Sequence, residues 1–535
     1  MGDDNLSFDE IKMEAHRLEA AHYQTPASKG DAVAQVGLAL CFQNGWGVDV
    51  DLSAAARWLH KAAEQGHAMA QTALGSCYDK GAGVDADMAE AARWHLAAAE
   101  QGVPQSQYQY GVYCELGQGV PENPSEAAFW YTKAAEQGQL CAQYNLGRCL
   151  QSAAGVERNP TKAVDWLERA AKQGHPAAQN DLGHCYEVGS GVHKSPKDAI
   201  KWYRISAQNK SLKGKTNLGR CYHYGIGVEV DLPEAVKHYQ EAAAQGFALA
   251  QNKLGMCYRH GWGVDKSHDA AVRWFVAAAD QNDPLGQANL GHCYEKGWGV
   301  TQSLDQAVSL YQRSAEMGER KGQVYWGRCH ENGWKVTQND HVASWWYRAS
   351  ADQGFPEGQN ALGERYEHGK GVGHDVEEAA RWYRVAAEQG LASGQDNYAR
   401  CLETGLGVPV DHQAAAHWYL KAANQDNQHA QNAVGRFYGG GKGVAKDLGT
   451  AASWFKKAAT DSAEGETGSP YAQVNLSLCY RHGWGVAQDD EQSMHWLTRA
   501  KEQGHADAIM RLARWNPDSR NSTSTGVSCP EDAFQ

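Results

Sequence analysis

The chain has 535 residues, with 50 Lys plus Arg against 63 Asp plus Glu, which gives a formal net charge of −13. This acidic balance disfavours a nucleic-acid backbone or an anionic membrane as the main partner. No stretch approaches the roughly 18 to 20 apolar residues that span a bilayer, so we expect no membrane insertion.

The first 30 residues are predicted to form a capping helix. His22-Tyr23 lies 36 residues before Trp58-Leu59, and 36 residues is the period of everything that follows. The stretch from Phe8 to Gln24 therefore resembles the second helix of a hairpin whose first helix is missing, a degenerate half repeat. This N-terminus has neither the basic stretch nor the apolar run of a secretory signal, so the expected location is the cytoplasm.

From residue 31 to residue 515 a 36-residue unit repeats. A glycine turn that reads G-x-G-V in most units marks each one, and we number the thirteen repeats by its Val. These residues are Val48, Val84, Val120, Val156, Val192, Val228, Val264, Val300, Val336, Val372, Val408, Val444 and Val486. The last step is 42 residues rather than 36, because the chain gains six residues near 463–470. Such a period is typical of a solenoid, whose core is built by stacking neighbours.

Repeat 2 shows how one unit should fold. Ala70, Leu74 and Cys77 recur at helical spacing and predict a first helix. Gly81 ends that helix, because glycine accepts the left-handed conformation found at helix C-termini. Asp87 is expected to cap a second helix, with Glu90 as the partner of a capping box. Each repeat is therefore predicted to be a helix hairpin.

These motifs resemble the Sel1-like repeat, a subfamily of the tetratricopeptide-type α-solenoids. The pattern A-Q-x-x-L-G-x-C-Y-x-x-G-x-G-V stands at 70–84 and again at 250–264, and D-x-x-x-A-x-x-W-Y-x-x-A-A-E-Q-G follows at 87–102, with His95 in place of the Tyr. The resemblance covers residues from about 31 to 515. It implies an all-α, right-handed superhelical solenoid of about thirteen hairpins that acts as an adaptor or scaffold.

The C-terminal end is predicted to close the solenoid. Ala506 to Arg514 resembles a first helix without its partner, and residues 516–535, rich in Ser, Thr, Pro and Asp, should be disordered. The insertion near 463–470 is either a hinge or a tolerated surface loop.

Ten cysteines share one repeat position, seven residues before the Val. They are Cys41, Cys77, Cys149, Cys185, Cys221, Cys257, Cys293, Cys329, Cys401 and Cys479. Equivalent helices of neighbouring repeats should lie about 10 Å apart, too far for a disulfide, whose Cα atoms lie within roughly 7 Å. We interpret these cysteines as small buried side chains of a reducing compartment.

The outward positions of each first helix, twelve, eleven, eight, five and four residues before the Val, are where recognition should lie. Asn recurs eleven before the Val, Arg or His eight before, and Glu five before. An Asn ladder can hold an extended peptide backbone, and Arg can bind carboxylates. The predicted peptide-binding residues are Asn145, Arg148, Asn217, Arg220, Asn289, His292, Arg328, Asn397 and Arg400.

The alternative for these residues is support of their own helix. Arg328/Glu331, Arg400/Glu403 and His184/Glu187 have the i,i+3 spacing of intrahelical pairs, each of which stabilises a helix by about 0.2 to 0.5 kcal/mol.

Five turns carry Gly-Trp, and three of them are consecutive: Trp262, Trp298 and Trp334. A Trp on a glycine turn is either a contact anchor at the rim of the solenoid or a lid on the neighbouring hairpin. Between repeats 5 and 6 the sequence has a basic cluster at Lys210, Lys213 and Lys215. This cluster is either a site for an acidic segment or a local departure from the repeat pattern.

The sequence offers little support for an enzyme. There is no phosphate-binding loop, and the C-x-x-H pairs Cys257/His260 and Cys479/His482 have no second pair nearby. We expect no cofactor and no metal. The sequence predicts a non-catalytic scaffold, a monomer or weak oligomer, that binds a peptide or partner protein in its concave groove. The alternative is a carbohydrate-binding or enzyme-regulatory solenoid that uses exposed Gly-Trp turns.

Overall fold

The computed structural model describes residues 20–460, 467–515 and 533–534, and within those ranges every regular element is an α-helix. The chain divides into two compact units, Met1–Lys266 and Ser267–Gln535, and the division falls within repeat 7. In each unit, the second helix of a repeat packs against the first helix of its own repeat and against the first helix of the next. The prediction of stacked helix hairpins is confirmed.

The first unit contains seven first helices and six second helices after an N-terminal helix at Ala20–Ser28. The first helices are Ala32–Asn44, Ala68–Lys80, Pro104–Leu116, Leu140–Ser152, Pro176–Val188, Leu212–Tyr224 and Ala248–His260. The second helices are Leu52–Glu64, Met88–Glu100, Pro124–Glu136, Pro160–Lys172, Pro196–Gln208 and Leu232–Ala243.

The described part of the second unit repeats this arrangement. Its second helices are His268–Ala279, Leu304–Glu316, Asp340–Asp352, Val376–Glu388, His412–Ala423, Leu448–Ala459 and Asp490–Glu502. Its first helices are Pro284–Lys296, Arg320–Asn332, Pro356–His368, Ala392–Thr404, Gln428–Gly440, Pro470–His482 and the shorter Ala506–Ala513.

The helix termini of repeat 2 follow the sequence signals. The Asp87 carboxylate accepts from the backbone N–H groups of Ala89 and Glu90 at 2.9 and 3.1 Å. Glu90 pairs with Arg93 at 2.9 Å, and the backbone N–H of Asp87 donates to the Tyr78 carbonyl instead, so the prediction of Glu90 as capping-box partner is wrong. Gly81 ends the first helix with a φ of 67°. At Gly83 an added Cβ would lie 2.0 Å from the Leu52 carbonyl oxygen, so glycine permits the turn to touch the preceding repeat.

Buried glutamines thirteen residues before the Val tie neighbouring repeats together. The Gln35 amide donates to the Ala27 carbonyl at 3.1 Å and accepts from Gln65 at 2.8 Å. The same link between amide side chains joins Gln101–Gln71, Gln137–Gln107, Gln173–Gln143, Asn209–Gln179, Gln353–Gln323, Gln389–Gln359, Gln425–Gln395 and Gln503–Gln473. In repeat 6, Lys215 replaces the glutamine and pairs with Glu241 at 2.8 Å.

The six extra residues before repeat 13 do not change these links. Gln473 donates to the Ala459 carbonyl at 3.2 Å, fourteen residues away instead of the usual eight. Asn475 donates to Asn432 at 2.9 Å across 43 residues, where the other repeats span 37. The inserted length is therefore accommodated outside the contact between repeats 12 and 13. Residues 461–466 of the predicted insertion lie outside the described residues.

The repeated cysteines are part of the core. Nine of the ten are buried, and Cys77 is half-buried. Burial raises the pKa of the Cys221 thiol to about 12, which keeps it protonated and unreactive at neutral pH.

The described parts of the two ends pack on the repeats beside them. Tyr23 of the Ala20–Ser28 helix is buried, and its ring lies where a Cβ at Gly37 would be. The remainder of the predicted capping helix, from Phe8, lies outside the described residues. Of the tail, 516–532 and 535 also lie outside them, while Ala533 and Phe534 pack against the hydrophobic core of the second unit.

Candidate protein-binding face

We call the outward positions of the first helices, twelve, eleven, eight, five and four residues before each Val, the first-helix face. In repeats 1 to 3 this face borders a cavity of about 620 Å³. Thr72, Ala73, Ser76 and Lys80 of repeat 2 line it from the predicted positions, together with Gln43 of repeat 1. The face predicted from periodicity thus includes the wall of a groove.

The groove is open because the residues at its centre are small. Ala73 and Ser76 occupy the positions where later repeats carry Asn and Arg. Its apolar wall includes Leu59, Met69 and Val103, whereas Lys80 is the one charged residue among the described residues that line it. We call this cavity the repeat 1–3 groove.

A chain of three hydrogen-bonding side chains begins at Thr72, in the lining of the groove, and continues into the protein. The hydroxyls of Thr72 and Ser106 are 2.8 Å apart, and the Ser106 hydroxyl is 3.3 Å from Nδ1 of His95. His95 is buried, and its ring covers Gly75, where a Cβ would lie 2.7 Å from it. Burial lowers the pKa of His95 to about 4, although the charge of Asp79 acts in the opposite direction. The imidazole is therefore neutral at physiological pH.

From repeat 3 onward, a set of charged and phenolic side chains closes the first-helix face in six repeats. The Tyr eleven residues after the Val donates its hydroxyl to the Glu five residues before the same Val. These pairs are Tyr131–Glu115, Tyr203–Glu187, Tyr311–Glu295, Tyr347–Glu331, Tyr383–Glu367 and Tyr419–Glu403, with distances of 2.5 to 2.8 Å.

The same glutamates bind an Arg of the next repeat, 33 residues further along the chain. The ion pairs are Glu115–Arg148 at 3.9 Å, Glu187–Arg220 at 2.5 Å, Glu295–Arg328, Glu367–Arg400 at 2.7 Å and Glu403–Arg436 at 3.3 Å. We call each Tyr, Glu and Arg group a junction triad. Between repeats 9 and 10, Arg365 takes the place of this Arg and binds both Glu331 and Asp340.

Glu295 is the most buried glutamate of these triads. It is 8% exposed and accepts from Tyr311 at 2.7 Å while pairing with Arg328. Burial favours the neutral acid, but hydrogen bonds from His292 and Tyr311 and the charge of Arg328 outweigh it and lower the pKa of Glu295 to about 2. The carboxylate stays ionised, so this triad holds a buried negative charge whose partners are the Tyr311 hydroxyl and the Arg328 guanidinium.

The predicted asparagines form links between repeats. Asn217 donates to Asn180 at 2.7 Å, and Asn397 donates to Asn360 at 2.9 Å. Asn289 is buried and accepts from Lys321 at 2.6 Å, and Asn145 hydrogen-bonds the Tyr131 hydroxyl. The amides of these asparagines bind neighbouring side chains, and their contact with a peptide backbone stays a prediction.

The predicted arginines also have partners in the chain, and these are not the ones that helical spacing suggested. Arg328 binds Glu295 and Arg400 binds Glu367, both in the preceding repeat, rather than Glu331 and Glu403 of their own helices. The side chain of Arg220 is still 25% exposed and that of Arg148 49% exposed. A ligand contact by these nine residues stays a prediction.

The three consecutive Gly-Trp side chains lie against the first-helix face. Trp298 stacks on His268 with 5.3 Å between ring centroids and meets His292 edge-on at 5.1 Å, while the Arg328 guanidinium is 5.2 Å from Trp334. Trp262 stacks on His260 at 4.4 Å. All three are half-buried. Within each unit, these Trp side chains therefore cover neighbouring side chains of the first-helix face.

The basic cluster is balanced within the chain. Lys213 pairs with Asp181 at 3.2 Å and Lys215 with Glu241 at 2.8 Å. In the described ranges, no group of three or more His, Cys, Asp or Glu side chains is placed to hold a metal ion. Of the helices that the structure describes, none combines the length and the apolar character needed to cross a membrane.

A comparison with protein-family profiles matched this chain to one repeat family. The Sel1 repeat profile matches residues 32–67, 68–103, 104–139, 142–175, 176–211, 213–247, 248–283, 284–319, 320–355, 356–391, 392–427, 428–461 and 470–505. A comparison with curated protein sequences found no match.

Two solved structures of this kind are similar in sequence. A protective antigen present in uropathogenic Escherichia coli strains, which displays an SLR fold, is 30% identical over 88% of this chain and 99% of that chain, with a TM-score of 0.47. A Sel1 repeat protein from Oxalobacter formigenes is 31% identical over 60% of this chain and 95% of that one, also with a TM-score of 0.47.

Proposed function

Because the chain belongs to the Sel1 repeat family, with thirteen matched repeats, we propose that it is a non-catalytic scaffold that binds a peptide segment of a partner protein on its first-helix face. The repeat 1–3 groove is the principal binding site, and the observation that carries this proposal is the cavity of about 620 Å³ bordered by that face. Ligand pockets in proteins commonly measure about 300 to 1,000 Å³.

The lining of the groove suits a peptide. Gln43, Gln105 and Gln139 each provide an amide that can donate to or accept from an extended backbone. Met69 and Val103 give an apolar wall for side chains, and methionine adapts its shape to what it contacts. Lys80 lies at this surface and favours an acidic residue in the ligand. The partner is therefore a protein segment with apolar side chains and little positive charge.

The remaining features of the proposal follow from charge and from the first-helix face of later repeats. The net charge of −13 disfavours nucleic acid as the ligand. The partly exposed arginines, Arg148 and Arg220, extend the surface toward acidic segments of the partner. A cytoplasmic location and a monomeric or weakly oligomeric state complete the proposal.

Ser76→Arg tests the groove directly. Arg occupies the equivalent position as Arg148, Arg220, Arg328, Arg400 and Arg436, so the fold accepts this side chain, which would fill the cavity. Ser76→Ala is the matched control, because it removes only the hydroxyl bond to the Thr72 carbonyl. Truncation of Arg220 or Arg328 would be a less clean test, since each also holds two repeats together.

Peptides selected from a displayed library against the full chain supply the probes, and calorimetry measures their affinity. We expect Ser76→Arg to weaken them at least tenfold and Ser76→Ala to leave them unchanged. Equal affinity for the parent and Ser76→Arg chains would place peptide binding elsewhere and reject the groove as the site.

A further inference from the structure

The junction between repeats 12 and 13 carries none of the three residues of a junction triad. Gly439 stands where the glutamate would be, Phe455 replaces the tyrosine, and Leu478 replaces the arginine of the next repeat. Phe455 and Leu478 are buried. Each change removes a polar group, so no hydrogen-bonding group is left without a triad partner. The result is an apolar site at the place where five other junctions hold a Tyr, Glu and Arg triad.

Phe534 of the C-terminal tail occupies this site. Its ring centroid lies 4.9 Å from that of Phe455 and 5.5 Å, edge-on, from that of Trp484. These are ordinary separations for aromatic pairs. Phe534 is 9% exposed and belongs to the same core cluster as Leu478 and Trp484.

The glycine makes the room for this ring. A Cβ at Gly439 would lie 2.4 Å from Cε2 of Phe534, so any other residue would displace it. Gly439 lies inside the helix Gln428–Gly440, where glycine is unfavourable to helix stability. Trp484 forms the opposite wall and is held by stacking on His482 at 4.6 Å. Trp484 is buried, whereas Trp262, Trp298 and Trp334 are half-buried.

We propose that the apolar junction of Gly439, Phe455, Leu478 and Trp484 is a receptor site for an aromatic side chain, and that Phe534 is its intramolecular ligand. The tail then competes with aromatic residues of a partner peptide for the last part of the first-helix face. This inference rests on the proposed function in taking the face as a binding surface.

A tethered ring is suited to this role. One aromatic side chain makes the described contact, and the tether keeps it at a high effective concentration near the site. Glu531 and Asp532 precede Ala533 and Phe534, while the turn after Gly439 carries Lys442 and Lys446, a complementary charge pattern. A peptide with an aromatic residue preceded by acidic residues would have the same complementarity and would displace the tail.

The test measures binding of a fluorescein-labelled peptide with the sequence of residues 526–535, carrying Cys529→Ser, by fluorescence anisotropy. The full chain with Phe534→Ala has an empty site, whereas the parent chain has its own ring in place. We expect the peptide to bind the Phe534→Ala chain at least ten times more tightly than the parent chain. The same peptide with Phe534→Ala should not bind either chain.

Two glycine substitutions locate the binding. Gly439→Glu, added to Phe534→Ala, should abolish binding; glutamate is the residue of the other triads, and Gly439→Ala gives a smaller block if the glutamate disturbs the fold. Gly449→Ala is the control, because Gly449 is exposed and a Cβ there meets only Asp447, at 3.4 Å. Circular dichroism checks that helicity is retained.

Equal affinity for the parent and Phe534→Ala chains would overturn the proposal, and so would binding that survives both Gly439 substitutions. The assay needs no natural partner and does not involve the repeat 1–3 groove. Its failure would therefore leave the proposed function standing, and failure of Ser76→Arg to weaken selected peptides would leave this site standing.

Discussion

The first-helix face is open in repeats 1 and 2, where it borders the repeat 1–3 groove, and closed at five later junctions, although the same positions of the hairpin form it. In the open region Ala73 and Ser76 leave a groove over a neutral His95. In the closed region Tyr311, Glu295 and Arg328 fill the equivalent space with a charge cluster. The same position of the repeat can thus stabilise the fold in one repeat and be available for recognition in another.

The glutamate of a closed junction should give the largest change in stability. In Glu295→Ala, the Tyr311 hydroxyl and the Arg328 guanidinium lose their shared acceptor, and we expect a loss of about 3 to 5 kcal/mol in the free energy of unfolding. Urea denaturation measures this loss, and hydrogen exchange in Pro284–Lys296 locates it. Glu316→Ala is the control, since Glu316 is exposed, and should cost less than about 0.5 kcal/mol. A loss for Glu295→Ala no larger than that of the control would show that the triads do not stabilise the face.

The open region should be more sensitive to mild acid than the closed one. His95 has its pKa lowered from 6.5 to about 4, so the unfolded chain takes up a proton that the folded chain excludes. Stability contributed by neutral His95 is present above pH 6.5 and falls by about 3 kcal/mol as the pH drops toward 4. Thermal denaturation of the parent and His95→Leu chains from pH 7 to 4 measures it, since leucine occupies the same position as Leu59 and Leu167.

His95→Leu should lose this part of the pH dependence, and an unchanged slope would contradict the assignment. Glu295 responds in a lower range. Its pKa is lowered from 4.5 to about 2, so its contribution is present above pH 4.5 and is lost as the pH falls through 2. The open region should therefore lose stability between pH 6.5 and 4, and the closed region only at lower pH.

Converting the open face to a closed one should change binding more than stability. Gln43→Glu with Ser76→Arg places a Glu and an Arg at the spacing of 33 residues that joins Glu187 to Arg220. A partly exposed pair of this kind contributes about 0 to 1 kcal/mol, so the unfolding free energy should change little while selected peptides lose affinity. A double-mutant cycle by urea denaturation gives the coupling energy. Retained peptide binding in this variant would argue that the groove is not the site.

The smallest effect should come from a turn, because turns are alike in the open and closed regions. Ala153 ends a first helix with a φ of 61°, at the position where the other repeats have glycine. Ala153→Gly should relieve strain and stabilise the chain by about 0.5 to 1 kcal/mol. Thermal denaturation checks this, with Ala154→Gly as the neighbouring control. A loss of stability in Ala153→Gly would mean that the turn is not strained.

The fold was predictable from periodicity because each repeat gives the same signals thirteen times. Asp87 as cap and Gly81 as terminator are local signals, and both act as predicted. The links between repeats were not predictable in the same way. Arg328 has a Glu three residues ahead in its own helix and another 33 residues behind, and only the stacking distance decides in favour of the second.

One sequence signal could have found the triads. Glu five residues before the Val occurs together with Tyr eleven residues after it in six repeats, as in Glu295 and Tyr311. The concurrent loss of both at Gly439 and Phe455 points to the same pairing. The groove had no such signal, because it results from small residues, and an absence of bulk at Ala73 and Ser76 becomes a cavity only when neighbouring repeats surround it.

The way in which repeat 13 accommodates six extra residues has a consequence for labelling the protein. Gln473 still reaches the Ala459 carbonyl, and Asn475 still reaches Asn432, as they would in a shorter chain. Additional length between Thr460 and Thr467 therefore leaves the register of both repeats intact. An epitope tag or a small fluorescent domain inserted there would report on the chain in cells while the first-helix face stays available to its ligands.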